Sequence, residues 1–404
     1  MVRGKPLSSI RIVVTGLAVT YPFGGVFWDY IQYPAGLRLL GHDVIYLEDP
    51  IRWCYDPKQQ TFVEDGSDNA ACFAANIARF DSDLAGRWFY RDARGETFGL
   101  DPKQTEAFCR SADLFLNLSA SSVMRDEYRA PARAALLDSD PIYTQAGIIS
   151  DLAAVDDEGA SRRLEQLRHS QVFFTFAENI GNKECRVPDC GLDWKPTRQP
   201  VLVDRLAKQS VPLGERRPML TTVASWEPSE KGPVVDGIAY AGKSTEFEKF
   251  IDMPAHSSMQ LELAMSGPAP VERLRARGWN IIDAFEVSSD PWRYCDYLAS
   301  SSGEWSVAKN AYVASRSGWF SCRSACYLAL GVPVVAQDTG FSRLIPCGEG
   351  LFAFSNIDEA AAAIDEIALN PARHARAAMD LARTFFDSQQ VLSSLLERAF
   401  AKSS

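Results

Sequence analysis

The chain has 404 residues, more than one ordinary hydrophobic core accommodates, which sets an expectation of two domains of roughly 150 to 200 residues each. Hydrophobic residues make up 46% and charged residues 23%, as in globular proteins, which excludes disordered classes; no run reaches the roughly 18 apolar residues of a transmembrane span. The formal net charge of −10 argues against a general nucleic-acid-binding face and leaves room only for a local basic pocket.

Cysteine usage adds a compartment. The nine cysteines are odd in number and form no Cys-x-x-Cys pair. Cys185 and Cys190 come nearest to a metal pattern, but no histidine follows them closely, so no metal site is expected. Free thiols suit a reducing cytoplasm, and the N terminus lacks the charged-then-apolar build of a signal peptide.

In the amino-terminal half, Ile10 to Thr15 predicts a buried strand and Gly16 to Gly25 a loop. Val26 to Leu40 then predicts a helix stopped by Gly41, and Asp43 to Leu47 a second strand. The dinucleotide fingerprint GxGxxG is missing, so Glu48 after the second strand carries little weight as a ribose ligand. The Gly24-Gly25 pair suits a close approach of backbone to a ligand or to a facing domain. Asp29 is placed in the first turn of the helix, where an acid either touches substrate or merely complements the helix dipole. Tyr21, Phe23 and Trp28 beside it suit either a flat or aromatic acceptor or ordinary packing.

Farther on, Asp113 to Leu118, Pro141 to Gln145 and Gln171 to Phe176 predict strands. The last runs into Ala177-Glu178-Asn179-Ile180-Gly181, which either lines a cleft or is a plain strand-to-helix turn with Asn as a cap. Cys185 to Pro200 is rich in Pro and Gly and reads as an interdomain linker, with Arg198 turned to the cleft.

In the carboxyl-terminal half, Leu220 to Ala224 restarts the strand pattern, and Ser225 to Gly242 is a polar loop holding Lys231. Glu304 to Val313 carries Lys309, and Ser315-Arg316-Ser317 follows. A short loop then leads into a helix over Ser321 to Leu330, stopped by Gly331, and Val332 to Ala336 is a compact β-branched strand. A Lys and an Arg beside a loop that opens a helix form an anion site, because the free N–H groups and the dipole already favour a phosphate; two solvated surface cations are the plain alternative. Asp338-Thr339-Gly340-Phe341 leaves the carboxyl end of the strand, where open α/β sheets bind ligands. Ala360 to Phe385 is helical with a break at Asn370-Pro371, and Ser388 to Lys402 is a final amphipathic helix able to pack back across the first domain.

From Gly318 to Phe354 the sequence resembles nucleotide-sugar glycosyltransferases with two facing Rossmann-like domains (GT-B). It is most similar to the large retaining group 1 family, whose carboxyl domain carries Glu, seven residues, Glu, then Gly-x-Pro-Val-Val. Phe320 takes the place of that family's loop phenylalanine. Gly331-Val332-Pro333-Val334-Val335 matches its strand, and Asp338-Thr339-Gly340 with Ile345 and Gly350 matches the next loop. The two glutamates fall on Gly318 and Cys326, so other groups must bind the donor. Glu304, Ser321, Arg323 and Ser324 are the nearby substitutes, and Asp338 has the chemistry for a donor hydroxyl.

What the resemblance implies is an α/β, GT-B enzyme. Residues 1–200 would bind acceptor, residues 201–383 would bind the nucleotide sugar, and residues 384–404 would form a helix crossing back to the first domain. The expected reaction is hexosyl transfer from a nucleoside-diphosphate sugar, UDP-linked before GDP- or dTDP-linked, to a small molecule or glycan, with no obligatory metal or other cofactor. Asp29, Glu178 and Arg316 are the catalytic candidates. Lys231, Lys309, Arg316, Ser317, Gly318, Ser321, Arg323, Asp338, Thr339, Gly340 and Phe341 are the donor-side candidates, and Gly24, Gly25, Trp28 and Asn179 the acceptor-side ones. None of the four histidines lies in the first loops after the amino-terminal strands, which leans toward a retaining reaction or toward a carboxylate base. An epimerase or phosphorylase on the same fold and a non-catalytic partner subunit are the alternatives; oligomeric state is left open.

Overall fold

A computed structural model describes residues 9–154, 157–226 and 232–401. Two parallel sheets organise them. The first runs, edge to edge, Trp194–Pro196, Val172–Thr175, Ala134–Asp138, Leu114–Leu118, Arg11–Thr15, Asp43–Glu48, Trp88–Arg91 and Thr97–Gly99, with only the last pair antiparallel. The second runs Asn280–Asp283, Gln260–Ser266, Arg217–Ser225, Ser301–Ser306, Val334–Gln337 and Leu351–Phe354, parallel throughout. In each sheet the order reverses beside the first strand of the unit, which is the doubly wound pattern.

The central strands are apolar along their whole length because helices cover both faces. Leu114–Leu118 and Ala134–Asp138 are buried at every residue. Gly41, at φ 88°, ends the helix Gly24–Leu39 as expected: the His42 N–H bonds the Leu37 carbonyl at 3.1 Å. Gly331, at φ 68°, does the same for the helix Cys322–Ala329, with the Val332 N–H on the Tyr327 carbonyl at 2.9 Å. His42 is a structural residue of its turn, its ring Nδ1 accepting from the Ile10 N–H.

Two expectations need correction. Pro141 to Gln145 is not a strand. The strand is Ala134–Asp138, and the helix Tyr143–Ala153 begins instead, because Asp138 accepts from the Thr144 hydroxyl and the Gln145 amide and turns the chain at Ile142, φ 72°. Alanine and leucine at 134–137 have little strand propensity of their own; burial between two neighbouring strands decides their state. The segment around residue 195 is an edge strand of the first sheet rather than linker, and the crossing to the second unit comes after it.

The two units share one large core. The helix Gly24–Leu39 packs against the helices Pro291–Ala299 and Cys322–Ala329 of the second unit. The last helix, Ser388–Phe400, returns to lie on it. Small residues permit these approaches. A Cβ at Gly24 would stand 2.5 Å from the Tyr294 Cβ and 2.8 Å from the Asp290 carbonyl, and one at Gly36 would stand 2.6 Å from the tip of Leu392.

The obstacles differ in kind: backbone and a Cβ well under 3.0 Å at Gly24, and at Gly36 the mobile Leu392 methyl with the Ser388 Cβ at 3.0 Å, and this sets an order. Gly24→Ala should lower the unfolding free energy by about 1–3 kcal/mol, as overpacked cores do. Gly36→Ala should cost less, because Leu392 can change rotamer, and urea unfolding midpoints of the two variants test the ranking.

Candidate functional site

In the second sheet the order reverses between Arg217–Ser225 and Ser301–Ser306, and the crevice beyond their carboxyl ends is where this topology places ligands. A cleft of about 780 Å³ opens there. Ser225, Ser266, Arg275 and Asp283 form its floor and far wall, while Phe23, Gly25, Asp29 and Tyr55 face them from the first unit. Ser321, Cys322 and Arg323, at the start of the helix Cys322–Ala329, stand between the two sides. The first-turn N–H groups of a helix have no carbonyl of their own to bind, so this end is open to an anion.

That helix start is held by charge. The Arg323 Nε bonds the Glu304 carboxylate at 2.7 Å, one terminal nitrogen bonds the Val223 carbonyl at 2.7 Å, and the other bonds the Ser306 hydroxyl at 2.7 Å. Burial works against the Arg323 charge, and Glu304 and Tyr294 more than offset it, raising its pKa. Three of the five guanidinium N–H donors are thus used, and two remain for the cleft. One Glu304 oxygen is buried without a hydrogen-bond partner.

Asp29 faces this helix start from the other side. The helix Gly24–Leu39 begins two residues earlier than the periodicity predicts, so Asp29 sits in the second turn, past the reach of the dipole. Burial pushes its carboxyl up to about 6, and hydrogen bonds with Cys322 and Gln199 offset only part of that. Gln199 also donates to the Asp29 carbonyl at 2.8 Å. A carboxylate poised near neutrality in a cleft is suited to proton transfer.

A smaller lobe of about 200 Å³ lies beyond Ser321 and Arg323. Lys243, Lys309, Ser324 and Gln337 line it together with Ala336 and Phe341. Lys309 is 3.1 Å from the Asp140 carboxylate and 4.5 Å from the Tyr143 ring centre, so its charge is shared with the first unit.

Of the sequence candidates, Gly25, Asp29, Ser321 and Arg323 line the main cleft, and Lys309, Thr339 and Phe341 line the lobe. Lys231 lies outside the described residues. The other candidates lie elsewhere, each for a visible reason. Arg316 is not among the residues lining either cavity; it is half exposed and pairs with Glu184 at 3.3 Å. Glu178 is buried against Arg198, whose Nε is 3.2 Å away, and burial raises its pKa. Arg198 itself stacks over Phe385 and Phe386 rather than facing the cleft.

Asn179 proves to be a clasp between the units. Its amide donates to the Arg316 and Gly340 carbonyls, both at 3.1 Å, and its N–H donates to the Ser317 carbonyl at 2.9 Å. A Cβ on Gly318 or Gly340 would come within 3.0 Å of Asn179, so Ser317, Gly318 and Gly340 serve this clasp with their backbones. Trp28 is buried, and its indole N–H donates to the Pro291 carbonyl at 2.8 Å; with Gly24 it belongs to the interunit packing. The Asp338 carboxylate caps its own turn, accepting from the Gly340 N–H at 2.8 Å and the Ser342 hydroxyl at 2.8 Å.

Sequence reading missed Lys243 and Arg275, in the short helices Lys243–Glu248 and Val271–Ala276, and Tyr55, in the strand Cys54–Asp56; no motif surrounds any of them. Glu48, which carries little weight as a ribose ligand, has a structural role instead. Its carboxylate accepts the Val19 and Thr20 N–H groups at 2.7 and 2.9 Å and so fixes the loop that leads to Asp29. Among the described residues, no group of three or more His, Cys, Asp or Glu is placed to hold a metal ion, and no helix is long and apolar enough to cross a membrane.

No family model matches the chain, and no curated protein sequence does. Solved structures do. An alpha-glucosyltransferase in complex with UDP and a 13-mer DNA superimposes with a TM-score of 0.60 at 12% identity, covering 97% of this chain and 100% of that one. An alpha-glucosyltransferase complex with UDP-glucose and DNA containing an abasic site gives 0.59 at 10% identity, over 98% and 100%. AviGT4, a glycosyltransferase involved in avilamycin A biosynthesis, gives 0.53 at 12% identity, over 96% and 97%. The likeness is one of fold, and it covers both units: two Rossmann-like domains facing across a cleft, with the final helix returning to the first.

The Asp29 carboxyl has a higher pKa folded than unfolded, so ionising it costs stability. The cost is absent below about pH 4 and complete once pH has risen through about 6. Asp29→Asn should therefore match the parent chain near pH 4 and exceed its stability by up to about 3 kcal/mol at pH 7–8, read from unfolding midpoints across that range.

Proposed function

We propose that the chain transfers a glycosyl group from a nucleoside-diphosphate sugar to an acceptor hydroxyl. The supporting observation is the open helix start at Ser321 to Arg323, set in the cleft at the sheet's reversal point and faced by a carboxylate of the other domain. On this reading the nucleotide lies along Ser225, Ser266 and Asp283. The diphosphate takes the first-turn N–H groups and the two remaining Arg323 donors, and Lys309 and Lys243 stand beyond it. UDP is the first choice of nucleotide, since the alpha-glucosyltransferases of this fold are complexed with it. Residues 1–200 would be the acceptor domain, residues 201–383 the donor domain and residues 384–404 the returning helix.

The chemistry asks little of side chains. The bond from the anomeric carbon to the diphosphate breaks through an oxocarbenium-like state, so the site must stabilise the leaving diphosphate and exclude water. The acceptor oxygen attacks the anomeric carbon, its proton passes to Asp29, and the diphosphate leaves with the bonding electron pair. A base on the acceptor side suits direct displacement with inversion. A perturbed carboxylate in the cleft also favours an enzyme over a partner subunit without activity.

Phe23 and Tyr55, with ring centres 5.4 Å apart, line the acceptor side and suit a flat or apolar acceptor. DNA accompanies the related alpha-glucosyltransferase structures, but a formal charge of −10 argues against a polyanionic acceptor here. No metal is required, because an N-terminal helix turn and cations can hold the diphosphate. A cytoplasmic setting is supported by nine unpaired cysteines.

UDP at 100 times its dissociation constant should stabilise the chain by about 2.7 kcal/mol. The transfer rate should fall as pH drops through about 6, where Asp29 becomes protonated. Asp29→Asn should lower the rate about 10²-fold or more and remove that pH limb, with UDP stabilisation retained. If no nucleotide shifts the melting temperature and no nucleotide sugar is consumed, the reading fails.

A further inference from the structure

Asp29 sits in a helix that its own sequence weakens, and this inference rests on the reading of Asp29 as proton acceptor. Pro34 stands inside the helix Gly24–Leu39 and has no N–H to offer the Tyr30 carbonyl four residues back. The turn that carries Asp29 therefore needs support from outside the helix.

Two buried side-chain amides supply it. Gln32 donates to the Trp28 carbonyl at 2.7 Å and accepts the Leu202 N–H at 2.8 Å. Gln199, 2% exposed, donates to the Asp29 carbonyl at 2.8 Å. Gln199 and Leu202 both belong to the segment that follows the edge strand Trp194–Pro196 and crosses to the second domain.

The Gln199 amide reaches across the seam as well. Its oxygen accepts the Cys322 thiol at 3.3 Å and the Tyr33 hydroxyl at 3.5 Å. Cys322 is the first residue of the helix whose start is open to an anion, and it bonds the Asp29 carboxyl too. One neutral side chain thus spans the proton acceptor of one domain and the diphosphate end of the other. Gln199 is not among the residues lining either cavity, so it acts through Asp29 and Cys322 and not on the substrate.

We propose that Gln199 is a positioning residue of the reaction: its amide holds the Asp29 turn against the helix start at Cys322, so that proton acceptor and leaving diphosphate keep one separation. Neutrality is part of the fit. A glutamate at 199 could not donate to the Asp29 carbonyl and would set a second negative charge against Asp29. The titratable groups around Asp29 are Tyr30 and Tyr33 on its own helix and Cys322 and Cys326 on the facing one, each pushed up by burial and so neutral at pH 7. Arg323 lines the same cleft, bonded to Glu304, and Arg198, beside Gln199 in the chain, is paired with Glu178.

The test follows the Asp29 carboxyl itself, by carbon NMR titration of the intact chain, with Asp29→Asn identifying its signal. Gln199→Met keeps the length of the side chain and removes its polar atoms; Gln199→Glu keeps the shape and adds charge. Asp29 should titrate higher than in the parent in both, because one variant loses a hydrogen bond that opposes the effect of burial and the other gains a like charge. In Gln199→Glu the rise should be about one pH unit or more. A purely structural residue would lower the melting temperature and leave the titration where it was. Asp29 titrating at the parent's pH in either variant overturns the positioning role and leaves the proton-acceptor reading standing. Asp29 titrating as an ordinary carboxylate near pH ~4 in the parent chain overturns that reading beneath it.

Discussion

The buried pair of Glu304 and Arg323 is the interaction on which the site depends. Glu304 lies in the middle of a strand with no exposure at all, where an uncompensated carboxylate would cost several kcal/mol. Arg323 is the second residue of its helix, so neutralising Glu304 fixes the helix start in space. Its other bonds go to Val223 and Ser306, at the carboxyl ends of the two strands where the sheet order reverses. One guanidinium therefore ties both lips of the crevice to the helix end that faces into it.

The clasp between the domains sets the other wall. Asn179 inserts between two glycine-bearing turns of the second domain, and Gly24 lets two helices touch across the seam. These contacts bring Asp29 against Cys322 without any charged group to hold it. The result is a carboxyl whose ionisation the fold resists. Glu178, the other acidic candidate, is paired with Arg198 instead.

Much of the secondary structure was legible because its causes are local. The β-branched runs at 10–15 and 332–336 and the helix-stopping glycines 41 and 331 act within a few residues of themselves, and the structure follows them with strands at 11–15 and 334–337. The stretch Gly318 to Phe354, expected beside a ligand cleft, contributes Ser321, Arg323, Thr339 and Phe341 to the two cavities. Arg316 did not follow. Its left-handed backbone, φ 51°, turns it to Glu184, and nothing in its neighbours in sequence announces that partner.

Sequence alone determined the two-unit parallel α/β plan, the helix start that can receive an anion and the identity of Asp29 as a candidate, since these follow from periodicity, turn chemistry and residue type. Tertiary structure decided which polar groups are free to meet a substrate. Asn179 and Gly340 are 161 positions apart, Glu178 and Arg198 are 20 apart, and Arg323 and Val223 are 100 apart. A hydrogen bond or ion pair spends a side chain's polarity on whichever partner folding brings near. Whether a residue belongs to the site or to the scaffold is therefore a property of its distant neighbours, and periodicity carries no record of them.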